Sequence, residues 1–369
     1  MSKRNPDLSK KTPTLTTIMK ENGYQTAAFI TNPALGMVAK TYFEKGFDTF
    51  SYSNISSPNV YSQYIFAYEY QNGAQATDKA TNWIQENSEK PFFLWLHYND
   101  SHMPYNPPKK YLCKLDPDCQ NETKYQSLLK DRSASMPDAM PSCKRSVSPE
   151  TIQKAEMLYD AEVLATDDLI KQVLSQLENQ DLLKKSIIVI TADHGEGFDH
   201  DMYHHGDSVY RSSMHIPLII FDGSAPIKHS FDTLMDNSDT LPTILDLLHI
   251  SSKNTFDGKS VAPLLKGKPF TKKPYVFMRT PPNESNRFAI TNGKEKYTLY
   301  PRAECLWNNA QEELFVASDL YEEKNLSGNM SKSAKSLKET LLKQIKSQEN
   351  QPKTPDDNKT LEKLRSIGY

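Results

Sequence analysis

Four continuous apolar runs punctuate the chain: Thr26–Ile30, Phe92–His97, Ser186–Thr191 and Pro217–Phe221. None alternates apolar with polar positions, so each predicts a strand covered on both faces, as in a mostly parallel sheet flanked by helices. Residues 13–22 read as a helix, with Pro13 in the first turn, Leu15, Ile18 and Met19 on one side, and Gly23 as the stop. Between the second and third runs, Ala155, Tyr159, Val163, Ile170, Val173 and Leu177 recur at helical spacing, with Glu156, Glu162 and Asp167 between them. That pattern predicts a long amphipathic crossover helix and a right-handed strand-helix-strand unit. Asp239-Thr240 marks a further helix start, with Ile244, Leu245, Leu247 and Leu248 docking on the sheet.

The pattern changes along the chain. Residues 106–149 are rich in Pro, Ser, Lys and Cys, lack a periodic core pattern and read as a surface insertion. After about residue 270, four short runs around Tyr275–Met278, Arg287–Ile290, Lys296–Tyr300 and Glu313–Val316 are separated by Pro, Asn and Gly. They predict an antiparallel meander. A Lys- and Ser-rich tail follows, with Leu337, Leu341, Leu342 and Ile345 on one helical face and a short amphipathic run at Leu361–Tyr369. The expected organisation is an α/β domain over 1–268, a small antiparallel subdomain over 269–330, and a polar helical tail over 331–369.

Composition narrows the function. With 44 Lys+Arg against 46 Asp+Glu, the net charge of −2 offers no basic surplus for a phosphate backbone or an anionic membrane. No apolar run approaches the ~20 residues of a membrane span. Nucleic acid and membrane partners are therefore not expected, and the composition leaves oligomeric state open. The 4 cysteines, Cys113, Cys119, Cys143 and Cys305, are too few for a disulfide scaffold and lack a C-x-x-C spacing. The polar start at Met1–Asp7 has no apolar stretch behind it, so the chain as written reads as cytoplasmic by default, or exported if its amino terminus lies further upstream. Sequons at Asn54 and Asn121 add little to that choice.

The candidate chemistry sits where two strands end. Ile188–Ile190 leads into Asp193-His194-Gly195-Glu196, placing a carboxylate and an imidazole at a strand's carboxyl end, where open α/β sheets bind ligands. Such a pair suits Mn²⁺ or Zn²⁺, or Ca²⁺ if the imidazole stays outside its coordination sphere. The plainer alternative is a capping Asp and an exposed His in a glycine turn. Of 9 histidines, four (His194, His200, His204 and His205) fall within that stretch and the loop after it. One or two are expected to act on substrate, the rest to be solvated. A second strand delivers His97 and then His102-Met103-Pro104-Tyr105, in which His102 is the favoured substrate contact; the alternative is a surface histidine in a Pro-rich loop.

Taken in order, these motifs resemble the sulfatase family of the alkaline phosphatase superfamily. The resemblance rests on Phe93–His97 through His102–Tyr105, Asp193–Glu196, His205-Gly206, His215–Ile220, Asp239–Leu248, Phe256–Ser260 and Ser366–Tyr369. It implies an alkaline-phosphatase-like sheet and hydrolysis of a sulfate ester, or of a related phosphate or phosphonate ester, with one divalent ion, Ca²⁺ or Mn²⁺ before Zn²⁺. It makes Asp193 and His194 metal ligands, His102 and His205 catalytic groups at the ester oxygens, and Asn32 and His204 substrate contacts. The family's nucleophile, a Cys, Ser or Thr ahead of Pro and Arg, belongs upstream of the helix near Pro13. The chain is thus expected to be a truncated hydrolase; the alternative is an inactive relative that binds rather than cleaves.

Overall fold

The structure, a computed structural model, describes residues 13–32, 44–52, 72–103, 105–121, 124–125, 147–200, 203, 205–206, 208–280, 287–300 and 311–349. Helix α1, Leu15–Glu21, starts two residues later than the expected 13–22. Pro13 lies outside it, and Thr14 caps it, accepting from the Thr17 N–H at 3.1 Å. β1, Gln25–Ile30, follows, then β2, Thr49–Tyr52. Helix α2, Gly73–Asn87, is one that hydropathy did not single out, because its buried face is Ala76, Thr77, Ala80, Trp83 and Ile84. Asn72 and Gln75 close it with reciprocal capping hydrogen bonds. β3 is Phe92–His97, and β1 lies between β2 and β3 with all three parallel.

Helix α3, Lys109–Leu115, falls in the stretch expected to be a surface insertion. The expectation fails for its described part: Tyr105, Tyr111, Leu112, Cys119 and Tyr125 are buried against Ala155, Leu158, Ala161 and Ala165. Aromatic residues at irregular spacing build this core, which a periodicity test cannot register. Cys113 and Cys119 form a disulfide here, 6 residues apart in sequence. Residues 126–146 and the carboxyl-terminal run 350–369 lie outside the described residues.

The crossover helix α4 spans Pro149–Asn179, with Ser148 as its cap. Ala155 and Leu177 of the expected face are buried, but in the middle of the helix Leu158, Ala161, Glu162 and Ala165 point inward while Val163 is 43% exposed. Phe92, Leu94 and Leu96 of β3, Val173 and Leu177 of α4, and Ile188 of the next strand share one apolar cluster with β1 and α2. That strand is β4, Ile187–Thr191; the one-turn helix α5, Arg211–Met214, and β5, Leu218–Asp222, come after it. β5 runs antiparallel to β4, correcting the parallel expectation for this pair. Among the described residues the single helical turn between them is too short to serve as a crossover. β3 and β4 are also only half-buried rather than covered on both faces.

Helix α6, Thr240–Leu247, is not capped by Asp239 as expected. Asp236 caps a preceding short turn, Asn237–Asp239, and the Asp239 carboxylate instead meets Lys273 and the Lys259 N–H. The meander forms as expected: β6 Val276–Arg279, β7 Phe288–Thr291, β8 Glu295–Leu299 and β9 Glu312–Val316 pair antiparallel in chain order. Helix α7, Lys332–Glu349, packs Ala334, Leu337 and Leu341 on that sheet, so this part of the tail shares the meander's core. None of the described helices is long and apolar enough to cross a membrane.

Candidate active site

The reactive side chains stand on two loops, each leaving the carboxyl end of a strand. Thr31, just past β1, ties the first loop down: its hydroxyl donates to the His97 carbonyl at 3.1 Å and accepts the Asn99 N–H at 2.6 Å. Asn32 is buried and donates from Nδ2 to Asn99 Oδ1 at 3.1 Å. The turn then delivers His102, whose N–H donates to the Asn99 carbonyl at 3.0 Å.

The second loop closes on itself. The Gly195 N–H donates to the Ser213 carbonyl at 2.8 Å, and a side-chain carbon on Gly195 would lie 2.1 Å from the Ser212 carbonyl oxygen. Only glycine permits that approach. The neighbouring His194 N–H donates to Asp193 Oδ1 at 3.0 Å, and its ring Nδ1 lies 2.8 Å from the Gly195 carbonyl. Since a carbonyl only accepts, Nδ1 carries the proton and Nε2 presents a lone pair, the tautomer a metal-binding histidine needs.

His102, His194 and His205 converge. The rings of His194 and His205 stack at 3.9 Å and 23°, and His102 meets His205 edge-on at 4.8 Å and His194 at 6.4 Å. His205 Nδ1 donates to the Glu196 carboxylate, at 3.0 and 3.1 Å from its two oxygens. Glu196, two places after His194, is a buried partner of the cluster to which sequence reasoning assigned no role. Burial alone would raise its carboxyl, but the hydrogen bond and charge of His205, then the neighbouring Tyr105 hydroxyl and His102, hold it below its ordinary value. The carboxylate thus orients His205 through Nδ1 and leaves Nε2 out of that hydrogen bond.

Burial lowers His102 to about 4, and the adjoining His205 adds to the effect. The ring is neutral, and its Nδ1 hydrogen-bonds the Met103 carbonyl at 2.5 Å. His97, at the end of β3, is likewise lowered by burial, against the pull of the Asp193 charge. His200 is not solvated as expected: it stacks on Tyr210 with rings 3.6 Å apart. His204 lies outside the described residues.

Asp193 and His194 supply donors of the right chemistry for a divalent ion, with Nε2 of His194 3.8 Å from Asp193 Oδ1. Two donors do not complete a coordination sphere, and no group of three or more candidate ligands occurs among the described residues. What the described site offers is a cradle of imidazoles backed by a buried carboxylate, able to hold the oxygens of a tetrahedral anion.

Residues 1–250 match the sequence pattern of the Sulfatase family. Arylsulfatase K of Gallus gallus is 28% identical over 215 residues, covering 53% of this chain and 39% of that protein. An arylsulfatase of Clostridium perfringens (strain 13 / Type A) is 25% identical over 235 residues, covering 60% and 49%. These matches span less than half the length of either relative. Among solved structures, BT4656 in complex with its substrate D-glucosamine-2-N,6-O-disulfate superposes with a TM-score of 0.65 at 19% identity, covering 93% of this chain and 84% of that one. A phosphonate monoester hydrolase of Agrobacterium radiobacter gives 0.68 at 16% identity, covering 92% and 81%. The architecture is that of an alkaline-phosphatase-like α/β fold with a separate carboxyl-terminal antiparallel sheet. With the family pattern matched over most of its length, the chain belongs to the sulfatase family.

Proposed function

We propose that the chain forms the anion-binding half of a sulfate ester hydrolase. The observation that carries this reading is the ring cluster of His102, His194 and His205 backed by Glu196, set at the carboxyl ends of β3 and β4. A sulfuryl group placed against it meets His205 Nε2, which Glu196 aims and supports electrostatically, and the neutral ring of His102. Both contacts favour the negative charge that gathers on the ester oxygens as the bond to the alcohol breaks. Asp193 and His194 are the groups that would hold a divalent ion, Ca²⁺ or Mn²⁺, and such an ion supplies Lewis-acid polarisation of the ester when bound. No further metal ligand and no attacking nucleophile is assigned among the described residues. His204 and Asn32 are assigned to substrate, with Asn32 acting through Asn99. The Cys113–Cys119 disulfide supports maturation in an oxidising compartment.

A second reading, an inactive relative that binds sulfate esters, is favoured by the incomplete donor set of Asp193 and His194. Calorimetric binding and turnover of 4-nitrophenyl sulfate, each in the presence of Mn²⁺ or Ca²⁺, tests both. Binding that weakens tenfold or more in His205→Ala and Glu196→Gln is expected, the loss of one charge-assisted hydrogen bond being worth roughly 1.5–3 kcal/mol. Turnover by the unaltered chain refutes the second reading, and no binding by it refutes both.

A further inference from the structure

The loop between Gly195 and Ser213 follows directly on His194 and carries His205, and its far side rests on the carboxyl-terminal sheet through buried charges that take no part in the ring cluster. The Glu322 carboxylate accepts from Lys296 Nζ at 2.6 and 2.7 Å and from the Arg211 N–H at 2.8 Å. Its carbonyl oxygen lies 3.2 Å from His200 Nε2. His200 stacks on Tyr210, whose hydroxyl donates to Glu313 at 3.1 and 3.2 Å, and Tyr300 donates to the same carboxylate. Lys296 sits 6.0 Å over the Tyr210 ring.

Lys296, Glu313 and Glu322 are all buried. Holding a sheet against a loop does not require this, since apolar side chains of similar volume would do so at a lower desolvation cost. His200 and Glu322, which meet at the junction, also both adopt left-handed backbone, with φ of 51° and 56°. For residues other than glycine that conformation is strained and persists only where the surroundings enforce it. Directed charges and strained backbone together specify one geometry where apolar packing would allow several.

We propose that Lys296 and Glu322 are positioning residues: through Arg211, His200 and Tyr210 they hold the loop in the conformation that keeps His205 stacked on His194. The consequence for sulfate rests on the functional reading above; the hold on the loop does not. Native-state amide exchange and the His205 ring resonance, measured on the full chain, test it. In the double variant Lys296→Met/Glu322→Gln, the amides of Gly195, Arg211 and Ser213 are expected to exchange at least tenfold faster, with those of β7 unchanged and the His205 resonance broadened or split. Lys296→Arg, with Glu322 in place, should keep both signals at their parent values. Tyr210→Phe, which removes one hydroxyl, provides the test if the double variant does not fold, and should speed Arg211 exchange about threefold. Unaltered Arg211 exchange with an unmoved His205 resonance, in either variant, overturns the proposal. If the loop loosens as expected while the unaltered chain binds neither Mn²⁺ nor inorganic sulfate, the positioning role stands and the functional reading falls.

Discussion

Glu162 provides the sharpest link between a buried group and a measurable property. It lies on the inward face of α4 and is 5% exposed, with the Asn106 N–H donating to Oε1 at 2.9 Å. Burial drives its carboxyl up from 4.5 to about 7, against the Asn106 hydrogen bond and with help from the Asp100 charge. A carboxyl whose folded value exceeds its unfolded one binds its proton more tightly in the folded chain. Its favourable contribution is therefore complete below about 4.5, fades as the pH climbs through 7, and is gone above that. The span from 4.5 to about 7 corresponds to roughly 3 kcal/mol. Glu162→Gln keeps an acceptor for Asn106 and removes the titration. Thermal unfolding should show the variant more stable than the parent by roughly 4 °C at pH 8, at about 1.3 °C per kcal/mol for a chain of 369 residues, and nearly equal to it at pH 5. An equal effect at both pH values, or a loss at pH 8, would mean that the carboxylate is charged and satisfied where it sits, and the reasoning would be refuted.

Gly195→Ala should destabilise the chain by roughly 1–3 kcal/mol, because its new methyl group collides with a backbone oxygen that cannot rotate away; a Tm and a His194 ring resonance both unchanged from the parent would contradict this. Asp193→Ala should weaken Mn²⁺ binding at least tenfold in equilibrium dialysis, and unchanged affinity would remove Asp193 from the metal assignment. Reducing the Cys113–Cys119 bond should cost about 2 kcal/mol through the chain entropy of a short loop, read as a lower Tm in dithiothreitol than in buffer.

The main helices and most strands were legible because their apolar runs are long and their punctuation is local. Phe92–His97 and Ile187–Thr191 form where hydropathy puts them, and all four strands of the meander appear. Direction was not legible: a run such as Leu218–Asp222 has the same composition whichever way its neighbour runs, and the connection decides. Helix α2 was missed because the first half of its buried face is Gly, Ala and Thr, and only Trp83 and Ile84 near its end are strongly apolar. At the site, His102, Asp193, His194 and His205 could be found because histidine and aspartate at strand ends are conspicuous. Glu196 was less so, since its role depends on burial beside His205, a fact of packing rather than of spacing. The buried pair Lys296–Glu322 joins positions 26 residues apart and looks, in sequence, like two ordinary surface charges.

The meeting of Gly195 with Ser213 divides what can vary from what cannot. Because the loop is pinched shut at its neck, β4 and β5 feel only the two ends, and the residues between them can lengthen or change without shifting the sheet. Doubling such a loop costs only about 0.6 kcal/mol of closure entropy. Insertions are therefore tolerated between Gly195 and Ser213 at positions that neither join the ring cluster nor meet the carboxyl-terminal sheet, while the glycine neck keeps β4 and β5 in place.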